Sequence, residues 1–487
     1  MGYIAIDLGT TNIRVTSYDD GLKPKQWRSK PVHYIREDAR VEFDAVAYME
    51  TILELLAEIV EVDQDSRELK KIILTGQAES LVVLGKDLTP LMNAISWMDE
   101  RSTEECSYMG KILSMEEYHN KTGQLSILPT WPATKILWLK RHLPKIHAKA
   151  AHYVLLKDYI AFCLTGKLYA DCSIATFSFY FDIYKRQYWE EMMDICGIRS
   201  HQLPDLVEPN TEIGKISPEI ASATGLSNEV RVNAGCLDQF TAMIGTGTMT
   251  EGAVSISMGT VFALATMAPA PLPQNYRIAT HYGLGPGNYI YLLVIESGGS
   301  CFDWYMNNFL PGSSHDDLKK RLATKDLPGD LIFLPHIVGT NPPDFNPKAT
   351  GMFYGLRSQH DAADLYYAVL EGSGHLIKKN IDELVSVGLR PDRVAATGGG
   401  ARDNFFCQLC SDLTGVPFDI PTDTEVTSLG AAIVGAVNDG MFRDFNEAAR
   451  KVVSTARHFN PNPTGALIKK HKRFNLLYDC SIKVTQI

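Results

Sequence analysis

Apolar and polar positions follow the same plan in two stretches lying about half the chain apart. Tyr3-Ile4-Ala5-Ile6-Asp7-Leu8 runs into the turn Gly9-Thr10-Thr11 and leaves through Asn12-Ile13-Arg14-Val15. Alternation with a Gly-Thr break predicts two β-strands joined in a hairpin. Ala253-Val254-Ser255-Ile256-Ser257-Met258, the turn Gly259-Thr260, and Val261-Phe262-Ala263-Leu264 repeat the plan. A second echo follows in the same order. Lys71-Ile72-Ile73-Leu74-Thr75-Gly76-Gln77 and Arg393-Val394-Ala395-Ala396-Thr397-Gly398-Gly399 are both apolar strands ending in Thr-Gly. Two echoes in one order predict a duplicated domain.

Between these landmarks, apolar residues recur at helical spacing over Met49–Val60 and Ala363–Leu384, and again over Phe405–Leu413. Strands alternating with helices predict an α/β class. The seam is expected in the Gly/Thr-rich run Gly245-Thr246-Gly247-Thr248, dividing the chain into domains 1–246 and 247–487. From about Gly440, with Phe474 and Tyr478, the pattern predicts terminal helices packed on the second domain.

Composition narrows the class. At 487 residues with 45% hydrophobic and 21% charged positions, the chain can build two or three ordinary cores. A net charge of −10 and no long Lys/Arg run argue against a nucleic-acid partner. The short basic cluster Lys469-Lys470-His471-Lys472-Arg473 is expected to be a solvated helix face. Nine scattered cysteines read as reduced thiols of a cytoplasmic protein, and the pair Cys407/Cys410 as helix packing, not as a metal or redox site. No secretory signal or membrane span is expected.

The candidate chemistry lies at strand ends. A P-loop is absent. The two Gly-Thr turns instead offer backbone N–H groups and hydroxyls to phosphates, although each alone would pass for an ordinary turn. Asp7, beside the first turn, suits a water-bridged Mg²⁺ or simply caps the turn. Gly398-Gly399-Gly400, ahead of a helix carrying Asn404, can admit a nucleotide to a helix N-terminus. Asp238, at the end of the strand pattern Val230–Leu237, can act as a general base or as a helix N-cap. Gln77, Glu79 and Trp97 combine hydrogen-bonding groups with an aromatic wall, as a sugar site does, but Trp97 is equally a core residue by type.

Taken together these residues resemble one family. Asp7-Leu8-Gly9-Thr10-Thr11, Trp97-x-Asp99-x-Arg101, Lys157-Asp158-Tyr159-Ile160, Asp238-Gln239, Ser257-Met258-Gly259-Thr260 and Gly398-Gly399-Gly400-Ala401 are similar, in order and along the whole chain, to the FGGY carbohydrate kinases. The resemblance implies two ribonuclease H-like (actin-like ATPase) domains with a cleft between them, binding ATP and Mg²⁺. It implies Asp238 as catalytic base and Asp7 near the metal, with Thr10, Thr11, Asn12, Arg14, Gly259 and Thr260 at the phosphates. Gly299, Gly399, Gly400 and Asn404 would complete the nucleotide site. Gln77, Glu79, Trp97, Asp238 and Gln239 would meet the substrate, a small sugar or polyol.

Position 78 departs from the pattern. Members that phosphorylate glycerol carry Arg where Ala78 stands, and members acting on xylulose carry a Met-His pair where Ala78-Glu79 stands. The expectation is ATP-dependent phosphorylation of a pentulose-like ketose such as xylulose, with glycerol or another polyol as the alternative. A homodimer stays open. An ATP-gated, non-catalytic regulatory protein on the same duplicated fold is the rival of another class, and a phosphatase or polyphosphate hydrolase is a third.

Overall fold

The computed structural model describes residues 2–63, 69–273, 276–324, 327–340 and 346–485. Its centre is two sheets built on one plan. The first has the order Glu212–Lys215, Arg231–Leu237, Lys71–Gly76, Tyr3–Leu8, Asn12–Tyr18, Pro24–Pro31. The second runs Thr455–Phe459, Phe418–Pro421, Arg393–Thr397, Ala253–Met258, Phe262–Ala268, Tyr289–Ile295, with Ala279–Tyr282 added at its edge. In each, a hairpin is followed by two parallel strands and closed by an antiparallel one. The duplication reaches the register: Asp7 lies opposite Thr75, and Ser257 opposite Thr397.

The strand Lys71–Gly76 is buried throughout because both its faces are covered. Ile72 and Leu74 point to the helix Ala45–Val62, packing with Ile52, Leu56 and Ile59. Ile73, between them, points to the other layer and meets the helix Val426–Asn438, which belongs to the second half of the sequence. A period of two thus feeds two cores from one strand.

That second-half helix crosses the first-half helix Asp238–Gly245 at two glycines. A Cβ on Gly430 would stand 2.7 Å from the Thr241 carbonyl carbon, and one on Gly245 would stand 2.8 Å from that of Val426. Only glycine lets these backbones approach so closely. The crossed pair therefore joins the halves at the floor between the two sheets.

The predicted helices are present as Ala45–Val62, Ala362–Ser386 and Asn404–Thr414. Cys407 and Cys410 lie buried in the last of these, and burial pushes the Cys407 thiol up to about 12. Among the described residues no cluster of three metal-ligating side chains occurs, and no helix is long and apolar enough to cross a membrane. The terminal helices are Phe445–Val452 and Gly465–Val484, separated by the edge strand Thr455–Phe459. The basic cluster is a correction. Lys470 and His471 are buried, with Lys470 paired to the buried Glu371 and donating to the Pro328 carbonyl at 2.8 Å, while Lys469, Lys472 and Arg473 face solvent. A run of like charge has no direction of its own. The apolar residues Phe474 and Tyr478 set which side of this helix turns inward.

Candidate active site

Asp7 ends the first strand directly opposite Arg14 of the hairpin. Burial, and then the nearby Asp238 carboxylate, lift its pKa to about 7, while Arg14 opposes the rise. Asp7 therefore feels the Asp238 charge across the intervening strand Lys71–Gly76.

Asp238 is aimed by an irregularity. The strand Arg231–Leu237 shifts register against Lys71–Gly76 between Asn233 and Cys236. Gly235 there adopts φ +62°, and an added Cβ would press on the Leu74 carbonyl. Such bulges re-aim strand ends. Beyond the bulge, the Leu237 N–H donates to Ser173 Oγ at 3.0 Å, and the Ser173 N–H donates to Asp171 Oδ1 at 2.9 Å. Asp171 is in turn paired with the buried Lys157, whose ammonium also donates to the Ala234 carbonyl. This buried chain fixes the strand end just ahead of Asp238.

Leu237, not Asp238, occupies the cap position of the helix Asp238–Gly245, and no side chain caps it. Among the described residues the Asp238 carboxylate accepts only the N–H of Gln239, at 2.6 Å, and burial raises its pKa against that bond. The Gln239 amide nitrogen is buried without a hydrogen-bond partner among the described residues. A buried donor left open in this way is costly unless something fills it.

The polar loop after Lys71–Gly76 is tied to the first hairpin. Gln77 accepts from Ser80 Oγ at 2.8 Å and donates to the Gly9 carbonyl at 3.4 Å. The Trp97 N–H donates to Ser80 Oγ at 3.0 Å, and its indole N–H donates to Thr10 Oγ1 at 2.9 Å. Trp97 is partly exposed, so it is not a core residue. Asp99 and Arg101 turn away from it. They pair with each other, and reach the Val41 N–H at 2.6 Å and Glu42 at 2.7 Å, which fastens the loop.

Glu79 stands in the left-handed region at φ +66°, uncommon for a residue with a Cβ and a pointer to a functional constraint. Lys135, fully buried, donates to the Glu79 and Ser96 carbonyls at 3.1 and 2.8 Å. Burial lifts the Glu79 carboxyl to about 7, with Glu296 of the second half adding to the rise and Lys135 and Thr130 opposing it.

On the second sheet, Gly259, Thr260, Gly299, Gly399 and Gly400 line one pocket of ≈ 470 Å³. The Gly299 N–H donates to the Gly259 carbonyl at 3.1 Å, so the two bends interlock. A Cβ added to Gly398, at φ +84°, or to Gly400 would press on Met258 at 2.9 Å, whereas one on Gly399 would meet only the Met258 carbonyl oxygen at 3.9 Å. Phe302, Leu370 and Phe406 form apolar wall, with His315, Lys319 and Tyr366 at the rim. Sequence reading missed these residues, because they are spread over four helices and carry no shared signal. Asn404 is not brought in: it is exposed and held by Arg457. Thr11, Asn12 and Thr260 are exposed on their bends.

Sequence comparison supplies the frame for this arrangement. The N-terminal domain model of the FGGY family of carbohydrate kinases matches residues 2–245, and the C-terminal domain model matches residues 254–438. The chain belongs to the FGGY family of carbohydrate kinases. As an FGGY kinase it is a phosphotransferase, and its two-domain structure has the actin-like ATPase fold. It is 29% identical over 477 residues to a xylulose kinase of Lactococcus lactis, covering 94% of this chain and 92% of that one. It is 26% identical over 470 residues to a gluconokinase of Bacillus subtilis, covering 93% and 91%. The ligand-bound xylulose kinase structure from Lactobacillus acidophilus superposes with a TM-score of 0.92 at 24% identity, covering 98% of this chain and 97% of that one.

Proposed function

We propose that this FGGY kinase transfers the γ-phosphoryl group of MgATP to a hydroxyl of a pentulose-like ketose, xylulose foremost, with Asp238 as general base. The observation that carries the reading is the Asp238 carboxylate itself. It sits at a fixed strand end, raised by burial, close enough to Asp7 to be felt there, and beside an unfilled amide donor of Gln239. The xylulose kinase relatives support the choice of sugar.

In this reading the division at 246/247 separates an acceptor-binding half from a nucleotide-binding half. Thr10, Thr11, Asn12, Arg14, Gly259 and Thr260 meet the phosphates. Gly299, Gly399 and Gly400, with the apolar wall beside them, take the nucleoside, and Asn404 is left out of this set. Asp7 fits a hydrated divalent cation. Mg²⁺ keeps several waters and needs only one or two carboxylates, so Asp7 would hold it, and its charge would offset the negative surroundings that lift Asp7. MgATP supplies the phosphoryl group and the neutralising charge. Asp238 takes the proton from the acceptor hydroxyl as that oxygen bonds to the γ-phosphorus and the bond from that phosphorus to the departing ADP oxygen breaks, and a base with a raised pKa is better matched to neutral pH. Gln77, Glu79, Trp97 and Gln239 orient the sugar, which converts binding into alignment.

A coupled ADP-release assay over xylulose, other ketoses, glycerol and gluconate tests the proposal. A ketose is expected to stimulate ADP release most. Gluconate should be poor, because its carboxylate would approach Glu79 and Asp238. Turnover of the same rate with and without any sugar would overturn the kinase reading in favour of a hydrolase, and nucleotide binding without turnover would favour a regulatory protein.

The Glu79 carboxyl gives a pH signature. Above about 7 it is ionised and accepts sugar hydroxyls in charge-assisted bonds, and below about 7 it is neutral and accepts them more weakly. The sugar KM is therefore expected to climb as pH falls through about 7. Glu79→Gln should show a raised KM with little pH dependence between 6 and 8; a wild-type-like rise in that variant would remove Glu79 from the sugar site.

A further inference from the structure

Arg14 is a cation whose charge reaches Asp7, yet its guanidinium is held from the other half. Its Nη1 contacts Glu425 Oε2. Glu425 directly precedes the helix Val426–Asn438, which packs through Gly435 on Tyr3 and Ile73 of the first sheet. The Trp27 ring lies 5.0 Å from Arg14 Cζ and supports the guanidinium from the side. The Glu425 carboxylate makes no cap bond to its own helix. The backbone N–H of Glu425 is satisfied by Asp423 Oδ1 at 2.8 Å. The side chain is thus free of local duties, and its ion pair is with a residue that the proposed function places at the phosphates.

We infer that Glu425 is a positioning residue that parks Arg14 across the seam and yields it to the nucleotide phosphates. The inference rests on the phosphate assignment of the first hairpin. The physical argument is one of competition. A carboxylate and a phosphate oxygen are both acceptors for the same guanidinium fork, and the phosphate carries more charge. While the site is unfilled, Glu425 balances Arg14 beside Asp7 and beside the positive end of its own helix. When phosphates arrive, a carboxylate left on Arg14 repels them, so the pair must open. Arg14 is then delivered already extended toward the bend. The effect is modest, because about half of the Glu425 side chain is exposed to solvent, and exposed pairs are screened.

The test is the nucleotide KM, measured apart from kcat, in variants that keep side-chain size. Glu425→Gln is expected to lower the KM for ATP about three- to five-fold, the range that a partly exposed ion pair can supply. Glu425→Asp keeps the charge and should stay within about two-fold of wild type. In an Arg14→Gln background, Glu425→Gln should lower the KM for ATP by less than it does alone, since no ion pair remains to release and only the screened charge of Glu425 is removed. Arg14→Gln alone separates the two levels of the argument. If it fails to raise the KM for ATP, the phosphate assignment of the hairpin is wrong. If it raises that KM while Glu425→Gln leaves it unchanged or raises it, the parking role is wrong and Glu425 merely supports the helix start. Thermal melts accompany each variant. Should Glu425→Gln not fold, a KM for ATP in Glu425→Asp that is shifted beyond two-fold, and equally so in the Arg14→Gln background, overturns the inference.

Discussion

Asp238→Asn is expected to lower kcat by roughly 10²–10⁴-fold, the usual worth of a general base, with little change in the KM for either substrate. The substitution is nearly isosteric, and the bond that the carboxylate accepts from the Gln239 N–H can be kept by the amide oxygen. The buried Lys157–Asp171–Ser173 chain that fixes Leu237 is untouched. What is lost is the capacity to accept the hydroxyl proton. Steady-state kinetics with the best ketose from the ADP-release screen, and a melting curve to show that the fold is intact, would measure it. A kcat within about ten-fold of wild type is too small a loss for a general base and would move the base elsewhere. The raised Asp7 carboxyl predicts a companion effect in the same variant: without the neighbouring Asp238 charge, one cause of its elevation disappears.

The duplicated plan was legible because hairpins write themselves into sequence twice over, once as alternation and once as a Gly-Thr turn. The second echo carried more than expected, since Thr75 and Thr397 occupy the same register beside Asp7 and Ser257. The positions in the second-sheet pocket that the sequence pointed to were four glycines and a turn threonine, residue types whose backbone demands are visible without a structure. What stayed hidden depends on side chains meeting across the chain. Phe302, Tyr366 and Phe406 lie on three helices, and their periodicity reports only that each helix has an apolar face. Lys470 and His471 looked solvated because a run of basic residues does not reveal which of them Phe474 and Tyr478 drag inward. Asn404, expected at the glycine bend, has its side chain held by Arg457, which comes from an edge strand that the pattern did not predict. Arg14 read simply as a phosphate cation, and its partner on the far half could not have been found by spacing.

The crossing of Asp238–Gly245 and Val426–Asn438 yields the largest expected effect on stability, and the competing terms have opposite signs. In an exposed helix interior, Gly→Ala stabilises by about 1 kcal/mol through lower chain entropy. Gly430→Ala should do the reverse. Its Cβ would press on the Thr241 carbonyl, with the Thr241 carbonyl carbon at 2.7 Å and the Gly245 nitrogen at 3.0 Å, and all of these are backbone atoms that no rotamer change can move. The two helices must part, which opens the contact of Gly435 with Tyr3 and Ile73 on the first sheet. Overpacking of this kind costs about 3 kcal/mol, more than the helix-propensity gain returns. The melting temperature is expected to fall by on the order of 5 °C or more. Gly110→Ala provides the contrast, since that glycine sits within the helix Thr103–Ile112 with no heavy atom near its missing Cβ; it should hold or raise the melting temperature. Because the crossed helices carry Asp238 at one start and follow Glu425 at the other, Gly430→Ala should also lower kcat in the protein that remains folded. Equal melting temperatures for the two alanine variants would mean that the glycine crossing does not hold the halves together, and that the close approach of these helices is incidental to the seam.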